Sequence, residues 1–400
     1  MEFSLLRYCY SFSKFAYCLR TCIPEHVVVC YERFDGLQEQ AFTQIMGRPL
    51  NDAGKQQALL PVKKGGAGLR SAKQHCSAAF IASVAQTRAI VDSLLPQNIQ
   101  RRSLDSAFLA LQQATGNATY TDLSLLPPEF SQHSLSLEID NFNFTNLLTS
   151  SDDRNRARLR SLALPHAGDW VDAIPSPSLN LNLDSRSFGA VMGYRLGLSL
   201  MQEKDCDSIP CQQFQDKYGD HAMHCRDDHG IRGGRHDRIR DKIFNEAQRA
   251  SLNPTKEMPR LVPGRQSRPA DVFIPQWLDG RKVAFDVSVV SPTQEALLHR
   301  AADTSAVAIE SRKATKIRTH FDNCRAEGIF FQPLVVESFG GWDKDAVFFL
   351  KKIATQEARR WGKLSAIEIK HFFQRLSIAL QRGNAALLIE RDQELPNTGV

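Results

Sequence analysis

ADVFIPQWLDGRKVAFDVSVV, residues 270–290, is the stretch whose reading decides the fold. Two apolar runs, VFIPQW and KVAFDVSVV, flank Asp279-Gly280. Asp-Gly between β-prone runs is the strongest short-range signal for a hairpin, because its residues tolerate the backbone angles of a tight turn. A two-residue loop there sets Leu278 opposite Arg281 and Phe273 opposite Asp286. Side chains alternate faces along a strand, so Asp271 shares a face with Phe273 and becomes a diagonal neighbour of Asp286. Like charges side by side repel, so such a pair calls for a reason. A shared Mg²⁺ or Mn²⁺ supplies one, and with it a route to phosphodiester hydrolysis. The competing reading is plainer: one Asp caps a strand start and the other faces water.

Downstream, a long helix is expected from about Gln294 to Cys324, then a strand in FFQPLVVESF, then an amphipathic helix from Thr355 toward the polar end PNTGV. Strand, strand, helix, strand is an α/β core. Sites built on paired acids usually add a lysine two residues beyond the second one, and that place holds Ser288. Lys313 and Lys316, three apart and therefore on one helix face, are the alternatives. Glu257, in TKEMP, is a possible further ligand.

Upstream lies Cys206-x4-Cys211-x9-His221-x3-Cys225, with His224 and His229 as spare imidazoles. Three thiols and one imidazole suffice for a tetrahedral structural zinc. Gly219 supplies the tight turn that a ligand pair needs. Buried thiols beside surface histidines would be the alternative. Arg235, His236, Arg238 and Arg240, with Arg232, form a basic stretch able to grip a nucleic-acid backbone. Asp227, Asp228, Asp237 and Asp241 interleave with it, so a solvated helix face laced with ion pairs explains it equally well.

The amino-terminal half reads as helical. Apolar residues recur at three and four in FDGLQEQAFTQIMGRPL, and Ser71 is placed to cap a small-residue helix after a Gly-Gly break. The apolar start, MEFSLLRYCYSFSKFAYCLRTCIP, is interrupted by Arg7, Lys14 and Arg20, which suits a core helix rather than a signal peptide or membrane span. Residues 96–200 alternate apolar patches with Pro and Ser clusters and read as a connector. The chain has 400 residues, 42% apolar and 24% charged, with a net charge of +6. That is an ordinary soluble composition, too long for one core and only mildly biased toward acidic partners. Nine cysteines, an odd number with three clustered among histidines, suit a reducing compartment with a metal site. Cys9, Cys18, Cys22 and Cys30 are expected as free buried thiols.

Taken in order, the Cys-Cys-His-Cys knuckle, RHD, and RPAD followed after fourteen residues by Asp286 resemble the restriction-like endonuclease of non-LTR retrotransposons. That family carries a basic residue, Pro and Asp before a second acid. Here Arg268, Pro269 and Asp271 match, with Ala270 as an extra residue. LLRYCYSFSKFAYCLRT, LLPVKKGGAGLRSA and FGAVMGYRLGLSL look like the thumb and connector that follow the polymerase palm in such elements. The resemblance implies a helical thumb-like region (1–95), a connector (96–200), a zinc knuckle (201–235), a PD-(D/E)xK α/β nuclease (236–355) and a terminal helix (356–400). It implies Zn²⁺ on Cys206, Cys211, His221 and Cys225, and Mg²⁺ or Mn²⁺ on Asp271 and Asp286. It also implies a late lysine at Lys313 or Lys316, DNA and element RNA as partners, and a nuclear location. No aromatic-x-Asp-Asp turn occurs, so polymerase activity is not expected, and the chain reads as the surviving tail of a retrotransposon polyprotein. A zinc-containing nucleic-acid binder without catalysis is the main alternative.

Overall fold

The computed structural model describes residues 1–94, 103–126, 130–208, 211, 213–225, 230–262 and 269–391. Arg268, His229, Asp227 and Asp228 lie outside them. The chain forms two compact units, Met1–Ser150 and Ser151–Val400, so the boundary falls inside the stretch expected as a connector. The whole is mixed helix and sheet. None of the described helices is long and apolar enough to cross a membrane.

The first unit is helical: α1 (Glu2–Cys9), α2 (Ala16–Thr21), α3 (Pro24–Met46), α4 (Asp52–Leu59), α5 (Ala72–Leu94), α6 (Asp105–Thr115) and α7 (Gln132–Thr149). Pro24 opens α3 at the position where a missing N–H costs nothing, and Gly47, at φ 65°, ends it. Ser71 caps α5 as its sequence suggests, accepting from the Gln74 N–H at 3.0 Å. The expected single amino-terminal helix is instead broken at residues 10–15, where a short 3-10 turn intervenes. Three of the cysteines expected to be buried, Cys9, Cys18 and Cys30, are exposed. They fall on the outer faces of α1, α2 and α3, and Leu19 and Tyr31 take inward positions on α2 and α3.

The second unit begins with α8 (Asp153–Leu162) and α9 (Ser185–Leu196), followed by a small ribbon of β1 (Lys204–Asp205) and β2 (Phe214–Gln215). Then come α10 (Ile231–Arg249), β3 (Thr255–Lys256), β4 (Val272–Ile274), β5 (Lys282–Val290), α11 (Leu298–Asp303), α12 (Val307–Ala326), β6 (Ile329–Glu337), α13 (Lys344–Arg360) and α14 (Ser365–Arg391). The sheet order is β3-β4-β5-β6, with β5 and β6 parallel and the other pairs antiparallel. Alternation along β5 divides its side chains cleanly. Val283, Phe285 and Val287 enter a core with Ile239, Ile243, Phe349 and Leu376 from α10, α13 and α14. Ala284 packs on the other side with Cys324 of α12 and Phe331. Asp286 shares the Ala284 face by the same alternation. The single long helix expected over 294–324 is two, parted at Ala306, whose φ of 64° no helix tolerates.

The hairpin register corrects the expectation. Val272 pairs with Phe285, Phe273 with Ala284 and Ile274 with Val283, a shift of two from the pairing that a two-residue loop requires. Asp279 and Gly280 are not the two central residues of the turn. Gly280 donates to Trp277 O at 2.8 Å and takes φ 84°, and Trp277 then donates to Arg281 O at 2.7 Å. That is a four-residue turn followed by a glycine bulge, the next most favoured way to close a hairpin.

Glu337, at the end of β6, is 1% exposed and accepts a hydrogen bond from the Ser161 hydroxyl. Burial pushes its carboxyl up to about 7, only partly opposed by Ser161. A folded value above the unfolded one means that its contribution is fully present below the ordinary carboxyl range and is lost as pH rises through about 7. Glu337→Gln keeps the neutral form at every pH. The urea stability of wild type minus variant should therefore fall by about 1 kcal/mol per pH unit between pH 5 and 7 and then level off. Parallel curves for the two proteins would show that Glu337 is ionised in the fold.

Candidate metal centre and acidic cleft

The β1–β2 ribbon brings Cys206 and Cys211 to one end, with Cys206 N–H donating to Gln213 O at 2.9 Å. Asp216 shapes the return: its carboxylate accepts from the N–H groups of Tyr218, Asp220 and His221 at 2.8, 3.1 and 2.7 Å. Gly219, at φ 86°, passes so near Leu388 that a β-carbon would sit 2.3 Å from it. A short 3-10 turn over His221–Met223 then delivers Cys225, whose N–H donates to His221 O.

The result is Cys206, Cys211, His221 and Cys225 with their ligand atoms all within 4.8 Å of one another. Cys206 Sγ and Cys225 Sγ are 3.8 Å apart, and Cys211 Sγ lies 3.6 Å from His221 Nε2. A zinc tetrahedron with ordinary bond lengths has edges of about 3.8 Å between sulfurs and about 3.6 Å from sulfur to imidazole nitrogen. The donor set can therefore hold a metal such as zinc. Burial, and then the nearby Arg391 and His224, lower His221 to about 4, which keeps the imidazole neutral as a ligand must be. Arg391 of α14 stands 3.4 Å from Cys206 Sγ and offsets thiolate charge. His224, the described spare imidazole, turns away into the neighbouring cleft.

That cleft, of about 470 Å³, is walled by α10, β5, α12 and the knuckle, and it holds both Asp271 and Asp286. Asp271 departs from the regular ladder. Its N–H donates to Phe285 O at 2.9 Å, although Phe285 is already the partner of Val272, so two residues of one strand oppose one of the other. This bulge re-aims the side chain, which the diagonal same-face geometry did not anticipate. Asp271 Oδ2 accepts from the Val287 N–H at 2.6 Å and lies 3.1 Å from His236 Nε2. Despite burial, the contacts with His236 and Val287 hold the Asp271 carboxyl below its usual range. Burial opposes a charge on His236, but its bonds to Asp271 and Asp237 prevail and carry the imidazole up to about 9. Asp286, 5% exposed, moves the other way, to about 6, through burial and the charge of Asp271, opposed by Lys316.

Lys316 Nζ sits 3.1 and 2.9 Å from the two oxygens of Asp286. Lys313 does not join it, because Asp343 at 3.0 Å and Asp345 at 2.6 Å draw its ammonium to the start of α13. Glu257 is not brought to the pair as a ligand: its carboxylate is taken by Arg240, while its N–H donates to Asp271 O at 3.0 Å. Arg235, expected on a basic surface, is 4% exposed and bonds Met223 O at 3.1 Å and Asn384 Oδ1 at 2.9 Å. It lies on the inward face of α10, where Gly383 of α14 leaves room for its stem. Arg240 is engaged by Asp237, Asp241 and Glu257, and Arg238 is exposed. Sequence reasoning placed His236 with the basic stretch and missed its bond to Asp271. The signal was its place in RHD, one turn from Ile239, which faces inward.

Comparison with protein-family models and with curated proteins gives no match.

Elemental analysis of the purified chain should find one zinc, lost in Cys225→Ser and Cys211→Ser and kept in His224→Ala. Chelation should lower the melting temperature of wild type, since a metal at a thousand times its Kd adds about 4 kcal/mol. Zinc retained by both cysteine variants would remove these residues from the ligand set.

Proposed function

We propose that residues 151–400 form a metal-dependent DNA endonuclease of the PD-(D/E)xK restriction-like kind, stabilised by a zinc knuckle and derived from a retrotransposon. The observation that carries the reading is the acidic cleft: two carboxylates in one pocket, one re-aimed by a bulge, the other met by a lysine from a different element. Asp271 and Asp286 would hold Mg²⁺ or Mn²⁺. Such a cation lowers the pKa of water and screens the charge that builds on a phosphodiester.

The chain's own groups do the rest. Lys316 has the place left open by Ser288 and brings an ammonium to the reacting phosphate while holding Asp286. His236 and the Val287 N–H fix the Asp271 carboxylate, so its oxygens need no reordering when a cation enters. Such a protein works on chromosomal DNA, which implies a nuclear location, with element RNA as a further partner.

One observation favours a second reading. Lys316 and His236 already balance the two acids, as they would in a cleft that binds DNA without cutting it. Supercoiled plasmid separates the two. Zinc-loaded protein should nick it with Mg²⁺ or Mn²⁺, and Asp271→Asn, Asp286→Asn and Lys316→Met should each lower the rate by roughly 100-fold or more. The variants should still bind the plasmid. Binding by the wild type with no nicking in either metal would leave the non-catalytic binder as the function.

A further inference from the structure

Two more cations face the cleft besides those that touch the acids. Arg232, in the first turn of α10, donates from Nη1 to His224 O at 3.1 Å, which ties its guanidinium to the knuckle wall. Arg312 stands on the opposite wall, on α12, one turn before Lys316. The two differ in what they meet. Lys316 is set against Asp286. Arg312 is exposed and has Ala308, Ile309, Thr315 and Lys316 at the positions where a helical ion pair would form. It makes no ion pair among the described residues. Its neighbour Lys313 is drawn off to Asp343 and Asp345, so the basic character of this face of α12 is concentrated at the cleft mouth.

The charge count of the walls points the same way. Arg232, His236, Arg312 and Lys316 face only Asp271 and Asp286, while the guanidinium of Arg235 is taken by Met223 and Asn384. A pocket built merely to bury two acids would need two cations. One that must also receive an anion needs more, placed where the anion lies. A guanidinium suits a phosphate especially, because its planar fork gives two parallel hydrogen bonds.

We propose that Arg312 binds a backbone phosphate of DNA at the mouth of this cleft and acts as a substrate-positioning residue, with Arg232 facing it across the opening. This rests on the cleft being a DNA site, as proposed above. It does not require that the cleft cut DNA.

The test is binding of a fluorescein-labelled 20-base-pair DNA duplex to the zinc-loaded full chain without added Mg²⁺ or Mn²⁺, from 50 to 200 mM salt, beside plasmid nicking with Mg²⁺. Arg312→Gln should bind roughly tenfold more weakly at 0.1 M salt and lower the slope of log K against log salt by about one. Arg312→Lys should restore the slope while nicking with a raised KM, because a single ammonium replaces charge but not the fork. Arg318→Gln, also exposed on α12 but outside the cleft lining, should cause a smaller loss of affinity. Nicking by wild type with an unchanged slope in Arg312→Gln would overturn this inference and leave the nuclease standing. A reduced slope without wild-type nicking would do the reverse. Absence of DNA binding would sink both, and tighter, Arg312-dependent binding of a matched RNA duplex would overturn the assignment to DNA.

Discussion

The carboxylate of Asp220 holds the second unit together. Arg154 of α8 donates to it from Nε at 2.6 Å and Nη2 at 3.2 Å, Tyr194 of α9 at 3.1 Å, and Thr293, just after β5, at 2.9 Å. The residue is 6% exposed and directly precedes His221 of the Cys/His cluster. One buried charge thus joins two helices, the knuckle and the end of the central strand. Removing it would strand the Arg154 guanidinium in a low-dielectric interior, the kind of loss that costs about 3–5 kcal/mol. From Thr293 the polar contacts run on to Ser291 and Ser338, then to Asn384 of α14, Arg235 of α10 and back to Met223 beside the knuckle. Hydrogen bonds linked in series polarise one another, and such a ring tolerates little displacement of any member. It is this ring that sets the start of α10, and hence His236, against Asp271.

That dependence explains which parts of the site were legible in the sequence. Cys206, Cys211, His221 and Cys225 could be read because metal-ligand spacing is local and chemically narrow. Asp271 and Asp286 could be read as a pair because Asp279-Gly280 announces a hairpin. The details that failed are those decided by tertiary contacts. A dipeptide that favours turns does not say which turn positions it fills: Asp279-Gly280 fills the last two of four, which moves the register by one at Trp277–Arg281, and a further offset before Ile274–Val283 makes it two. The bulge at Asp271 arises because Phe285 O takes its N–H as well as pairing with Val272, which no periodicity encodes. Lys313 and Lys316 are alike in sequence, and only the acids at Asp343 and Asp345 separate them. Arg235 looked like surface charge because a buried arginine needs neutral acceptors from distant elements, here Met223 and Asn384.

Two acidic clusters in this unit show how similar residues take different parts. Glu246, Glu357 and Glu368 gather their carboxylates within 4.8 Å where α10, α13 and α14 meet. All three are buried, and Arg375, Arg249 and Lys363 stand against them. Burial, and then the bond to Glu357, push the Glu246 carboxyl up to about 8, so a proton shared between acids further reduces the negative charge. With a cation set against each acid and all three acids buried, the cluster fastens three helices. Asp271 and Asp286 are also balanced, by His236 and Lys316, but they open onto a cleft whose walls carry additional positive charge. Each ionised carboxylate can accept more bonds than one cation satisfies. Solvent access and surplus cationic charge, rather than the number of acids, therefore distinguish the cleft from the fastening: the first can admit an anionic ligand beside its carboxylates, and the second has neither the room nor the charge to do so.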